Sequence, residues 1–126
     1  MRTFSIALVI FLLLFGSFFL YDSTLKKESA TMLEVAEKLH NAADAENWED
    51  VKKSVDNLEK AWEKTSPRLA AIAEHDILHE IMLETMSARA FAENYEKPEL
   101  LASVMHLEAL FRHIAEQEEL SLENIL

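Results

Sequence analysis

Glycine, proline and cysteine are nearly missing from this 126-residue chain, which has one glycine, two prolines and no cysteine. The single glycine, Gly16, stands in an apolar N-terminal run, so residues 17–126 contain none. Phosphate-cradling loops, dinucleotide-binding turns and Walker loops need glycine where the backbone approaches the ligand or takes a positive φ. None of the three can be drawn here. Without cysteine there is no disulfide, no thiolate zinc site and no thiol nucleophile. Positive charge is scarce as well: 12 Lys and Arg stand against 23 Asp and Glu, a formal net charge of −11. That balance repels nucleic acid and anionic lipid surfaces, so no nucleic-acid partner is expected. What is left is an acidic, helix-forming sequence.

Residues 4–21 read FSIALVIFLLLFGSFFLY, a stretch without a single charge. As a helix it would be about 27 Å long, close to the thickness of a hydrocarbon core, so it is expected to contact membrane lipid. Arg2 flanks it on one side; Tyr21, Asp22, Lys26 and Lys27 flank it on the other, and Tyr21 suits an interfacial position. The run exceeds the apolar region of a cleaved signal peptide, and no small-x-small site follows it. An uncleaved signal anchor over residues 1–22 is therefore expected. The short tail before it points to an N-terminus inside a cell membrane crossed once, with residues 23–126 extracytoplasmic.

Those residues suffice for one small acidic domain. Its charge is uneven, with most of the excess acid after Arg68. Periodicity draws four helical segments and no strand, so the expected fold is all-α: a transmembrane helix followed by a four-helix up-down bundle of two αα-hairpins. The first segment runs from about Ser23 to Glu46, with Leu25, Met32, Val35, Ala36, Leu39, Ala42 and Ala43 on one stripe. The second follows Asn47, a favoured N-cap, and carries Trp48, Val51, Val55, Leu58 and Trp62 at steps of three and four. Ser66-Pro67 reads as the N-cap and first turn of the third, which is expected to reach about Asn94. Leu69, Ile72, Ala73, Ile77, Ile81, Ala88 and Phe91 would face inward there, with Leu78, Met82 and Met86 meeting a second neighbour. Pro98 opens the fourth, with Leu100, Leu101, Val104, Leu107, Leu110, Phe111 and Ile114 inward. The closing LSLENIL is expected to pack back on the bundle. Two echoes link the hairpins: Ala45-Glu46-Asn47-Trp48 with Ala92-Glu93-Asn94-Tyr95, and Leu58-Glu59-Lys60-Ala61-Trp62 with Leu107-Glu108-Ala109-Leu110-Phe111. Their offsets differ by two, which implies an insertion near Pro98.

Five histidines raise the question of metal. His75 and His79 are one turn apart on the third segment; His106 and His113 are two turns apart on the fourth. Glu37-x-x-His40 and Asp76-x-x-His79 share the spacing of di-iron bundles. The order around His75 is wrong for a His-Glu-x-x-His hydrolase, and only Glu84 lies near an apolar stripe. The candidates for a metal are therefore His75, His79, His106 and His113, which would make the protein a metal- or cation-responsive sensor; the main reading assigns no metal and no cofactor. Glu84 would need a partner if buried, and Arg89 and Arg112 are the cations at hand. Trp48 and Trp62 fall on the core stripe. No nucleophile, base and orienting group can be assembled, so no catalytic residue is expected and the protein is read as a non-enzyme.

Together the N-terminal apolar helix, Trp48-Glu49, Leu58-Glu59-Lys60-Ala61-Trp62, Glu74-His75-Asp76, Phe111-Arg112-His113-Ile114 and the ending Leu120-Ser121-Leu122-Glu123-Asn124-Ile125-Leu126 resemble the bacterial domain of unknown function 4363 family. Ala115 stands where members often have proline. The resemblance spans nearly the whole chain. It implies a small membrane-anchored protein of endospore-forming and related Gram-positive bacteria, encoded beside a multi-spanning YetF-like membrane protein. It implies no established activity. The leading expectation is an accessory or interaction protein that presents an acidic face to a membrane-protein partner.

Overall fold

The three-four spacing read in the second segment runs further than its tryptophans. Val51, Val55, Leu58, Trp62, Thr65 and Leu69 are all buried, at steps of four, three, four, three and four. One helix therefore covers Trp48–Leu69 (α2). The computed structural model describes the backbone of residues 1–71 and 73–125 and the side chains of residues 1–17, 26–71 and 73–116. The other helices are α1 (Arg2–Asp44), α3 (His75–Glu93) and α4 (Lys97–Ile125), and there is no strand among the described residues.

Short connections make successive helices antiparallel. Each packs on the next, α4 closes the ring on α1, and the backbones of the diagonal pairs do not approach. The fold is an all-α up-down bundle of two αα-hairpins. Its core holds Met32, Leu39, Val55, Leu58, Ile81, Leu100, Leu107 and Phe111, all at most 1% exposed. Small residues at Ala36, Ala43, Ala88 and Ala92 let the backbones close in. Trp62 meets Phe111 across the bundle, ring centroids 6.4 Å apart. Trp48 is only partly buried and lies at the bundle tip rather than in the core.

Pro67 corrects the expected start of the third helix. It lies inside the last turn of α2, and Ala70 N–H still bonds to Ser66 O at 2.9 Å. The missing proline N–H and the ring clash weaken that turn. Full burial of Leu69 on the same stripe stabilises it by about 1.5–3 kcal/mol, enough to carry the helix through. α3 instead begins at His75 behind an extended Glu74 whose side chain makes no capping bond.

The echo between hairpins is corrected too. Ala45 N–H bonds to Asn41 O, Glu46 to Ala43 and Asn47 to Ala42; Asn94 bonds to Ala90, Tyr95 to Ala92 and Glu96 to Phe91. Every bond recurs at one constant offset, which is that of the Leu58 and Leu107 pentapeptides. Both turns are Schellman motifs, and there is no insertion. The Ala-Glu-Asn tetrapeptides match in letters but sit two residues out of structural register.

α1 runs through residues 22–23 without interruption, so no break in the helix marks the expected end of an anchor. Among the described residues no helix is long and apolar enough to cross a membrane. The run expected to do so continues into residues 18–25, whose side chains lie outside those described, as does Leu25. Ile72 and the packing of Leu120, Leu122, Ile125 and Leu126 also lie outside them.

Candidate functional site

Arg68 pairs with Glu28 across the seam of α2 and α1, and three further polar clusters among the described residues each follow from a charged residue flanking an apolar stripe. Glu108 follows Leu107 on α4 and is turned toward α1, only 6% exposed. Its Oε1 lies 2.6 Å from His40 Nδ1, and its Oε2 lies 3.6 Å from the Arg112 guanidinium one turn on. A buried carboxylate needs such partners to offset desolvation. The opposite flank of α4 carries His106, whose Nδ1 is 2.9 Å from Glu84 and Nε2 3.0 Å from Glu80. Glu84 therefore pairs with a histidine, not with Arg89 or Arg112. α4 is thus tied on one side to α1 and on the other to α3.

Arg89 forms the third cluster, between α3 and α2. Its Nε donates to Glu59 at 2.7 Å and its Nη2 to Glu59 at 2.9 Å and Asp56 at 2.5 Å; Glu93 is 3.9 Å away. The hydrogen bond from Arg89, more than its charge alone, holds the Asp56 carboxyl below the usual carboxylate range. Hydrogen bonds to Glu59 and Asp56 push the guanidinium further up from a value already above any physiological pH.

The four histidines proposed for metal are not brought together. His106 offers each ring nitrogen to a different carboxylate on opposite edges of the ring, an arrangement that bridges two acids instead of wrapping one ion. His75, His79 and His113 are exposed and have no hydrogen-bond partner among the described residues. No group of three or more His, Asp or Glu among the described residues could hold a metal ion. The sequence singles out His40 only for its Glu-x-x-His spacing and Glu108 only within the hairpin echo, and the pairing of the two is not read there. The signal was present, since Glu108 interrupts an apolar stripe at a position that must face a neighbouring helix.

At the tip formed by the two Schellman turns, Trp48 meets Tyr95 edge-on at 5.2 Å, and Lys52 Nζ donates to the Tyr95 hydroxyl at 3.1 Å. Beside it a groove of about 410 Å³ between α1 and α2 is lined by Lys38, Asn41, Asn47, Asp50, Lys53 and Ser54. The buried Thr85 Oγ1 donates to Ile81 O within its own helix. Ser29 Oγ has no hydrogen-bond partner among the described residues and lines a smaller cleft with Phe111 and Arg112.

Two surfaces remain. Phe4, Ile6, Val9, Phe11, Leu13 and Phe15 on the N-terminal part of α1 are 54–75% exposed, unlike any comparable stretch of the bundle. In the second hairpin every described cation is engaged: Arg89 as above, Lys97 with Glu46 at 3.1 Å and Arg112 with Glu108. Glu74, Asp76, Glu96 and Glu99 have no ion-pair partner among the described residues. The excess acid of this half is therefore presented outward.

Compared with known families, residues 19–125 match the one described as Domain of unknown function (DUF4363). No curated protein and no solved structure matches the chain.

Proposed function

The chain belongs to that family, and from this premise we propose that it is a membrane-anchored accessory protein whose acidic helical bundle engages a membrane-protein partner. The observation that carries the reading is the exposed apolar stretch from Phe4 to Phe15, continuous in one helix with the bundle. Apolar area on that scale is stable in water only when covered, and lipid covers a single uncharged helix best. The N-terminus lies inside and residues 23–126 lie outside the cytoplasm. A multi-spanning YetF-like protein is the partner to look for, as the resemblance in sequence implies. The outward-facing carboxylates of the second hairpin support recognition by charge and no chemistry of their own. Crosslinking followed by purification from native membranes should recover one specific membrane protein. Recovery of none in several detergents would overturn the reading.

A further inference from the structure

The seam between α2 and α3 is the thinnest of the four in the bundle. Arg89 pins its tip end through Asp56 and Glu59, which shows that this flank of α3 looks toward α2. One and two turns back along the same flank stand Met86 and Met82, with Leu78 beyond. Leu78 reaches the core, but Met82 is 41% and Met86 62% exposed, and neighbouring Leu83 is 48% exposed. These methionines were expected to meet a second helix; α3 does touch both α2 and α4, yet the two side chains remain exposed. The acids that edge the strip are Asp56, Glu59 and Glu63 of α2 and Glu93 of α3; against them stand Arg89, already shared by three carboxylates, and Lys60, whose charge reaches Asp56, so the edge stays net negative.

We propose that this strip, Leu78, Met82, Leu83 and Met86 edged by Glu59 and Glu63, is the docking surface for a cationic amphipathic helix of the partner. The inference rests on the accessory reading and names the surface and the chemistry it selects. Unbranched methionines adapt to varied apolar side chains, which suits a surface that must receive another helix. A helix with one apolar face and lysine or arginine on its flanks would cover the strip and meet Glu63, which has no ion-pair partner among the described residues, beside three carboxylates that share one guanidinium. An acidic or neutral helix would cover it without that gain. A second copy of this chain fits poorly, because it would bring the same acidic edges together.

The test uses the full chain in neutral detergent and a labelled peptide of about 18 residues, roughly five helical turns, with leucine on one face and lysine on the other. Saturable binding is expected, weakened by salt and lost when glutamate replaces the lysines. Met82→Ser with Met86→Ser should weaken it about tenfold at unchanged melting temperature, since both side chains are exposed. Glu63→Lys should weaken it separately and flatten the salt dependence. Peptide binding that ignores all three substitutions, or no saturable binding, overturns the surface. The two readings fail differently. If the methionine variant still recovers the native partner by crosslinking, the accessory role stands and this surface falls; if the unaltered chain recovers no partner, the accessory role falls.

Discussion

Glu46 and Tyr95 hold the same left-handed backbone conformation, φ 57° and 56°, at the two turns of the bundle tip. Each is the C′ residue of a Schellman motif, where glycine is the usual occupant. A chain whose only glycine is Gly16 has closed both hairpins with residues that pay a conformational penalty there. The two sites are held differently. Tyr95 stacks edge-on with Trp48 and accepts from Lys52, whereas Glu46 has only its contact with Lys97.

The Glu46 site should therefore reverse the ordinary preference for alanine over glycine. Glu46→Gly and Glu46→Ala lose the same carboxylate, so their difference isolates the backbone. Gly should be the more stable by about 0.5–1 kcal/mol in denaturant melts, after allowing for its greater unfolded-state freedom. At Ala90, exposed on α3, Ala90→Gly should cost about 1 kcal/mol.

Pro67 is the second local conflict. Pro67→Ala restores an N–H at residue 67 within the last turn of α2 and removes the ring clash, a defect worth about 3 kcal/mol in a helix interior. Reduced unfolded-state rigidity offsets about 0.4–1 kcal/mol of that, and the end of a helix is more tolerant. A gain of about 1–2 kcal/mol in thermal or denaturant unfolding is expected. A loss would mean that the proline shapes the following turn.

Glu108 is the buried charge on which α4 depends. His40→Leu leaves it with the more distant Arg112 alone and should cost about 2–4 kcal/mol. His40→Leu combined with Glu108→Leu removes the uncompensated charge and should recover most of that loss. A double variant as unstable as the single one would show that packing around His40, not the charge, is what matters.

Acid should release the Arg89 cluster. The Asp56 carboxyl is held below its usual range when folded, so its contribution is present above the ordinary carboxylate pKa and lost as pH falls through the lowered one. The stability difference between the unaltered protein and Asp56→Asn should be flat above about pH 5 and shrink toward zero in stronger acid. Asp56 is exposed, so salt should reduce the difference at every pH.

Much of the bundle was legible in its periodicity, and the errors have physical causes. Asn47 behaves as read, its side chain accepting from Asp50 N–H at 3.3 Å. Ser66-Pro67 misled because local start signals are indifferent to Leu69, whose burial decides where α2 ends. The tetrapeptide echo misled because similar letters lie on either side of a turn whose register is set by φ at Glu46 and Tyr95. Partners across seams were the hardest to read. Glu84 could pair with any cation on two helices, and only the meeting of α3 with α4 selects His106. The apolar N-terminal run is plain in sequence, and its reading as an anchor turns on which side of a membrane each end meets.

The absence of cysteine makes that last question directly measurable. Single cysteines can be placed at Glu99→Cys, exposed on the bundle, and Thr3→Cys, at the start of α1, and intact cells treated with a membrane-impermeant maleimide. Labelling is expected at residue 99, none at residue 3 until the membrane is opened, and the chain should stay with the membrane through an alkaline wash. Equal protection of both sites, or release of the chain by the wash, would contradict the anchored reading.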